Sequence, residues 1–221
     1  MKARAVRDLS VLLPELDEEY LESVVDAPDE DLVDADVAGA DWSGLHLVGG
    51  RIDGSRLTQV DLSGSRWTRT RLTGAVLAGC DLSGVRWDAV HLDRVYLRGC
   101  RMTGLRAAGT TARDLLLEGC RLDYATFEDL RATGAVAFVD CVLSRASLTR
   151  CRLPGVVLDG CTLEDLELVD CDLRGADLRG CRVDGVLGLD GLRGVRLDST
   201  QLVELAAAAA RNLDIALADD A

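Results

Sequence analysis

Residues 60–84 read VDLSGSRWTRTRLTGAVLAGCDLSG, and the spacing within this stretch decides the fold. Leu62, Trp67, Leu72, Leu77 and Leu82 recur at every fifth position. Stepping outward by the same interval gives Leu32, Val37, Trp42, Leu47, Ile52 and Leu57 on one side. On the other side it gives Trp87, Leu92, Leu97, Met102, Ala107, Ala112, Leu117, Leu122 and Phe127, so twenty successive anchors are apolar. The phase slips by one residue near Arg131 to Ala135 and resumes at Phe138, Leu143, Leu148, Leu153, Leu158, Leu163, Leu168, Leu173, Leu178 and Val183. A period of five fits neither the 3.6 of a helix nor the 2 of a strand, so the chain has to turn a corner inside every unit. Two residues before the anchor stands a small or branched side chain, as at Val60, Ala75, Cys80 and Cys100, which suits a second inward position in a narrow interior. After the anchor come Ser, Thr or Asp and then Gly, residues whose backbone freedom or local hydrogen bonding makes a turn.

The segments ADWSG at 40–44, CDLSG at 80–84, CDLRG at 171–175 and ADLRG at 176–180 fit the pattern A(D/N)LXX. Over about residues 30–200 the chain resembles the pentapeptide-repeat family. That resemblance implies an all-β solenoid, a right-handed quadrilateral β-helix in which four units close one square coil. Coils of twenty residues stacked about 4.8 Å apart would give about eight coils and a rod of roughly 40 Å. The cysteines support the same coil length, because Cys80, Cys100, Cys120, Cys141, Cys161 and Cys181 fall on one corner once the slip is allowed. Cys151 and Cys171 fall on the opposite corner. With neither CxxC nor His/Cys metal spacing present, the eight thiols read as small core residues, and neither a metal nor a cofactor is expected.

Solenoid ends need covers, since an open terminal coil exposes strand edges and core. Pro14 with Leu16, Tyr20, Leu21, Val24 and Val25 predicts a helical cap within residues 1–29. Residues 30–200 form the β-helix, and alanine content with the spacing of Leu202, Leu205, Leu213 and Leu217 predicts a helix within 201–221. The first twenty residues lack the apolar run of a secretory signal and no stretch is long enough to span a bilayer, so a soluble, cytoplasmic protein with reduced thiols is expected.

The formal net charge is −13. Its location matters more than its size: residues 1–35 hold 11 acids and 3 bases, whereas residues 36–200 hold 23 acids and 21 bases, so the rod itself is nearly neutral.

Three surface features stand out when residues one coil apart are stacked. Val76, Tyr96, Leu116, Ala137 and Val157 make an apolar stripe, a docking surface unless a terminal helix folds back over it. Asp159, Glu164, Asp165, Glu167, Asp170 and Asp172 make an acidic run without a base, either a phosphate-like patch or solvated charge. Arg66, Arg86 and Arg106 stack on one face, with Asp88 the nearest acid to offset them. His46 and His91 precede core anchors and should point to solvent on different faces, without the neighbours a general base needs. GGRIDG at 49–54 lacks the lysine and helix of a phosphate loop.

No catalytic residue is expected. The leading expectation is a non-enzymatic module that presents a rigid surface to a protein partner. The competing one, implied by resemblance to the quinolone-resistance and gyrase-protecting members of the family, is a DNA mimic that binds DNA gyrase or another topoisomerase. The same branch implies a homodimer through the C-terminal helix, with no direct contact to nucleic acid or membrane. A nearly neutral rod counts against the mimic, because duplex DNA carries one charge per roughly 1.7 Å of axis.

Overall fold

Each five-residue unit turns its anchor inward and reverses out again at the residue two positions on. That corner residue takes a left-handed backbone at the regular corners, whether it is glycine, as at Gly64 (φ 67°), or not, as at Arg69 (φ 52°). In a computed structural model describing residues 2–212 and Ile215, these corners fold the chain into a parallel β-solenoid of about seven turns. Four walls result. The first carries anchors Ile52, Leu72 and Leu92, the second Leu57, Leu77 and Leu97, the third Leu62, Leu82 and Met102, and the fourth Leu47, Trp67, Trp87, Ala107 and Phe127. Pairing is in register at twenty residues: Leu72 lies between Ile52 and Leu92, and Leu77 between Leu57 and Leu97. About seven turns replace the eight expected, because beyond Val169 the units pair only through single bridges and the chain leaves the square at a 3-10 turn, Leu189–Leu192.

The slip is confined to one corner. Thr111 pairs with Arg131 at a separation of twenty, Leu115 with Val136 at twenty-one, and Ala137 with Val157 at twenty again. The extra residue is therefore absorbed between Ala132 and Val136, where the first wall passes into the second, and every later anchor still faces inward.

Two inward positions per unit fill the interior. The anchors are buried, and the residue two before each is buried as well: Val60, Ala75, Val85, Val95 and Leu105 are 0% exposed. Where that second residue is polar, its group commonly bonds a carbonyl one coil back, although the buried Thr110 hydroxyl has no partner. Ser65 donates to the carbonyl of Trp42 at 3.3 Å and Thr70 to that of Leu47 at 3.4 Å. Cys80, Cys100 and Cys120 do the same toward Leu57, Leu77 and Leu97 at 3.4 to 3.5 Å. Thiol and hydroxyl are thus equivalent here, small groups with one weak donor aimed at an open lone pair. Gly50 takes this position for a different reason: a Cβ there would sit 1.9 Å from the carbonyl oxygen of Glu30.

The N-terminal helix expected from Pro14 onward is absent among the described residues. Residues 2–13 instead form an antiparallel hairpin, β1 (Ala3–Val6) and β2 (Leu9–Leu12), and residues 14–31 hold turns and the two-residue strand Glu22–Ser23. Asp17, Glu18, Glu19 and Glu22 would repel along a single helix, whereas the irregular path spreads them. The same segment covers the first coil, with Trp42 Nε1 donating to the carbonyl of Val25 at 2.9 Å and Val24 packing on the core. At the other end α1 (Gln201–Asn212) closes the last coil. Gln201 Nε2 donates to the carbonyls of Leu178 and Cys181 at 2.9 and 2.7 Å, and Ala208 is buried. Leu213 and Leu217 lie outside the described residues.

Candidate interaction surfaces on the walls of the rod

The interior is filled by apolar side chains. An apolar void of about 30 Å³ lies within it, lined by Phe127, Phe138 and late leucines, with no polar group to hold a water. Trp67 and Trp87 stack inside with centroids 5.8 Å apart, and their indole N–H groups have no partner. Among the described residues no three His, Cys, Asp or Glu side chains converge as a metal site. His46 is exposed, and His91 Nδ1 lies 2.7 Å from Thr111 Oγ1 on the first wall.

On the second wall the apolar stripe is already occupied. Leu116, Ala137 and Val157 are 0%, 0% and 4% exposed beneath the N-terminal hairpin, whose Val6 and Val11 are buried against them. The cover is a hairpin, where the sequence suggested either an open surface or a terminal helix. Polar groups pin it. Arg4 bonds Glu118 through two nitrogens at 3.1 and 2.7 Å, the backbone N–H of Leu12 donates to Asp114 at 3.1 Å, and Arg7 bonds Asp159 and the carbonyl of Arg179. Tyr96 donates its hydroxyl to Glu118. Burial, together with that bond, pushes the Tyr96 phenol up to about 12, while the Tyr96 bond and the nearby Arg4 hold the Glu118 carboxyl below its ordinary range. Val76 and Tyr96, at the edge of the hairpin, line an open groove shared with Leu13, Pro14 and Arg56.

The acidic run does not form a patch. Consecutive units face successive walls, so Asp159 falls on the second wall, Glu164 on the third, Glu167 on the fourth and Asp172 on the first. Three of the six are neutralised: Asp159 by Arg7, Asp165 by Arg145 at 3.6 Å and Asp172 by Arg174 at 2.7 Å. The Arg174 bonds hold the Asp172 carboxyl down to about 2. Glu164, Glu167 and Asp170 make no ion pair among the described residues.

Several arginines on this rod are paired across one coil. Arg51 bonds Asp31, Arg56 bonds Asp36, Arg101 bonds Asp81, Arg113 bonds Asp93 and Arg150 bonds Asp129. Others are not: among the described residues Arg98, Arg131, Arg152 and Arg182 make no side-chain hydrogen bond or ion pair, and the fourth wall carries three such arginines in succession. Arg66, Arg86 and Arg106 pair in register with one another, with His46 below Arg66 and Thr126 then Ser147 above Arg106, so the first acid in their column is Glu167, three rungs beyond Arg106. All three are exposed, and among the described residues none makes a side-chain hydrogen bond or ion pair. Asp88, expected to offset them, is exposed in the adjacent column and bonds none of them. Arg69 and Arg71, at and just past the next corner, are likewise without a side-chain partner, which sequence reading did not single out although both lie within five residues of Arg66. Beside Arg106, Ala107 and Ala108 replace the larger residues of neighbouring coils and leave a shallow depression bounded by Asp88 and Glu128.

Comparison with known proteins bears on the repeat. The family model for pentapeptide repeats matches in eight copies, over residues 55–87 and 140–182. No curated protein matches the chain. Among solved structures, HetL, a pentapeptide repeat protein involved in heterocyst differentiation regulation from the cyanobacterium Nostoc sp. strain PCC 7120, is 20% identical, with 76% of this chain and 86% of that one covered and a TM-score of 0.45. Trypsin-treated QnrB1, a plasmid-mediated fluoroquinolone resistance protein, is 19% identical, with 90% and 98% covered and a TM-score of 0.45. The repeat is thus matched on both sides of the slip, within a four-walled register that runs from Leu32 to Arg196, and the chain carries pentapeptide repeats folded as one parallel β-solenoid.

Proposed function

We propose that this protein is a non-catalytic binding module whose rigid rod docks a protein partner through its walls, the fourth wall above all. One observation carries the reading: Arg66, Arg86 and Arg106 stack in register on three successive rungs of the fourth wall, all exposed and, among the described residues, none with a side-chain hydrogen bond or ion pair. Like charges at rung spacing weaken a sheet unless something outside relieves them. Association through α1 belongs to the same reading, supported by Leu202 and Val203, which are 59% and 77% exposed on its outer side.

The test is capture from native cell extract with wild type, R66E/R86E/R106E and E164K/D165K, each verified as folded by circular dichroism. A stoichiometric protein complex should be retained by wild type and by E164K/D165K and lost by the fourth-wall variant. Equal retention by all three would contradict the reading.

The second reading, a DNA mimic acting on DNA gyrase or another topoisomerase, draws on the net charge of −13 and on Glu164, Glu167 and Asp170. In a supercoiling assay it expects wild type to inhibit gyrase or to relieve a gyrase poison, and E164K/D165K to do so less. No effect from either protein would dispose of it.

A further inference from the structure

From the fourth wall we infer the chemistry of the partner: an acidic α-helical segment, laid along the rod axis, with one carboxylate per turn facing the column Arg66–Arg86–Arg106. The inference rests on the protein-binding reading above and adds the class of ligand. Parallel, in-register pairing fixes the three arginines on successive rungs about 4.8 Å apart. A helix rises about 5.4 Å per turn, so carboxylates at i, i+3 or i+4 and i+7 drift from the arginines by only about 1 Å over the three rungs. Long guanidinium side chains absorb that. In an extended strand, residues on one face recur about every 6.8 Å, and the mismatch over the same span grows to about 4 Å.

Charge favours a protein over a nucleic acid. A duplex presents one charge per roughly 1.7 Å over a long span, and would meet both the net charge of −13 and the 11 acids of residues 1–35. Carboxylates on a single helix interact within the roughly 8 Å screening length of physiological salt, where the arginines dominate. Asp88 then acts as a selector, because a helix that placed an acid against the adjacent column would be repelled. The depression over Ala107 and Ala108 gives an apolar side chain of the same helix a seat next to Arg106.

The experiment is fluorescence anisotropy on the full-length protein at low and physiological salt. The probe is a labelled alanine-rich helical peptide of about 20 residues with glutamate on one face, compared with its glutamine counterpart and a labelled duplex DNA of similar length. Wild type should bind the glutamate peptide about tenfold or more tightly than the glutamine peptide at low salt. R66Q/R86Q/R106Q should lose that preference. R51Q/R113Q/R174Q, which removes the same charge from arginines that already have partners, should keep it. Equal loss in both variants, equal binding of the two peptides, or tighter binding of the DNA would overturn the inference. If the peptide fails while capture still depends on the fourth wall, the acidic-helix assignment falls and the binding-module reading stands.

Discussion

Replacing Leu97 with aspartate is expected to abolish the folded rod. Leu97 is 1% exposed and sits mid-axis on the second wall, between Leu77 and Leu117. A carboxylate there has neither water nor a cation within the dry core, and the cost, more than about 5 kcal/mol, matches the whole stability of many domains. A solenoid is held by contacts between neighbouring coils, so failure at the middle also uncouples the coils on either side. Truncation to alanine should cost about 2–5 kcal/mol, and the volume-conserving Leu97→Met less than about 1.5 kcal/mol. Denaturant unfolding followed by circular dichroism ranks the three; cooperative unfolding of Leu97→Asp within about 1 kcal/mol of wild type would mean that this anchor column is not interior.

Removing the N-terminal hairpin should have the next largest effect, and on a different property. Val6 and Val11 belong to a small apolar cluster with Leu116, Ala137 and Val157 that is separate from the main core. A chain lacking residues 2–13 should therefore keep its β-solenoid spectrum while baring a continuous apolar stripe on the second wall, and should self-associate or bind a hydrophobic dye. The point variant Val6→Asp/Val11→Asp should do the same by placing two carboxylates in that cluster. Size-exclusion chromatography with light scattering reads the outcome; an unchanged monomer with unchanged dye binding would show that the hairpin is not the cover. Acid should loosen it as well. Glu118 is held below its unfolded value by Tyr96 and Arg4, so its contribution to docking is complete above the unfolded carboxylate pKa of about 4.3 and is lost as pH falls through the lower folded value. Amide exchange over Val6–Val11, corrected for intrinsic rate, should accelerate below about pH 4 while the core anchors stay protected.

The anchors, the thiol columns and the arginine column were legible because each depends only on counting by five or by twenty, and in-register stacking converts that count directly into place. The hairpin was not. Its alternation of Val6, Leu9 and Val11 spans few residues, and the stripe it covers has the same sequence whether the wall is bare or occupied. The acidic run misled for a geometric reason: adjacency along the chain suggests a cluster, but every unit turns to a new wall, so Glu164 and Glu167 are neighbours in sequence and lie on different sides of the rod. Salt bridges such as Arg7 to Asp159, 152 residues apart, cannot be read from spacing at all, because they follow from where the hairpin lands.

Native-state thiol titration is the most direct check that the interior is sealed and that only the walls are available for binding. All eight cysteines are free, seven are buried and Cys171 is partly exposed, with its pKa brought down to about 7 by the Cys151 hydrogen bond. Without denaturant one thiol, Cys171, should react promptly with an aromatic disulfide reagent, and the other seven should react only as the rod unfolds. Prompt reaction of the Cys80–Cys100–Cys120 column in the folded protein would contradict the account.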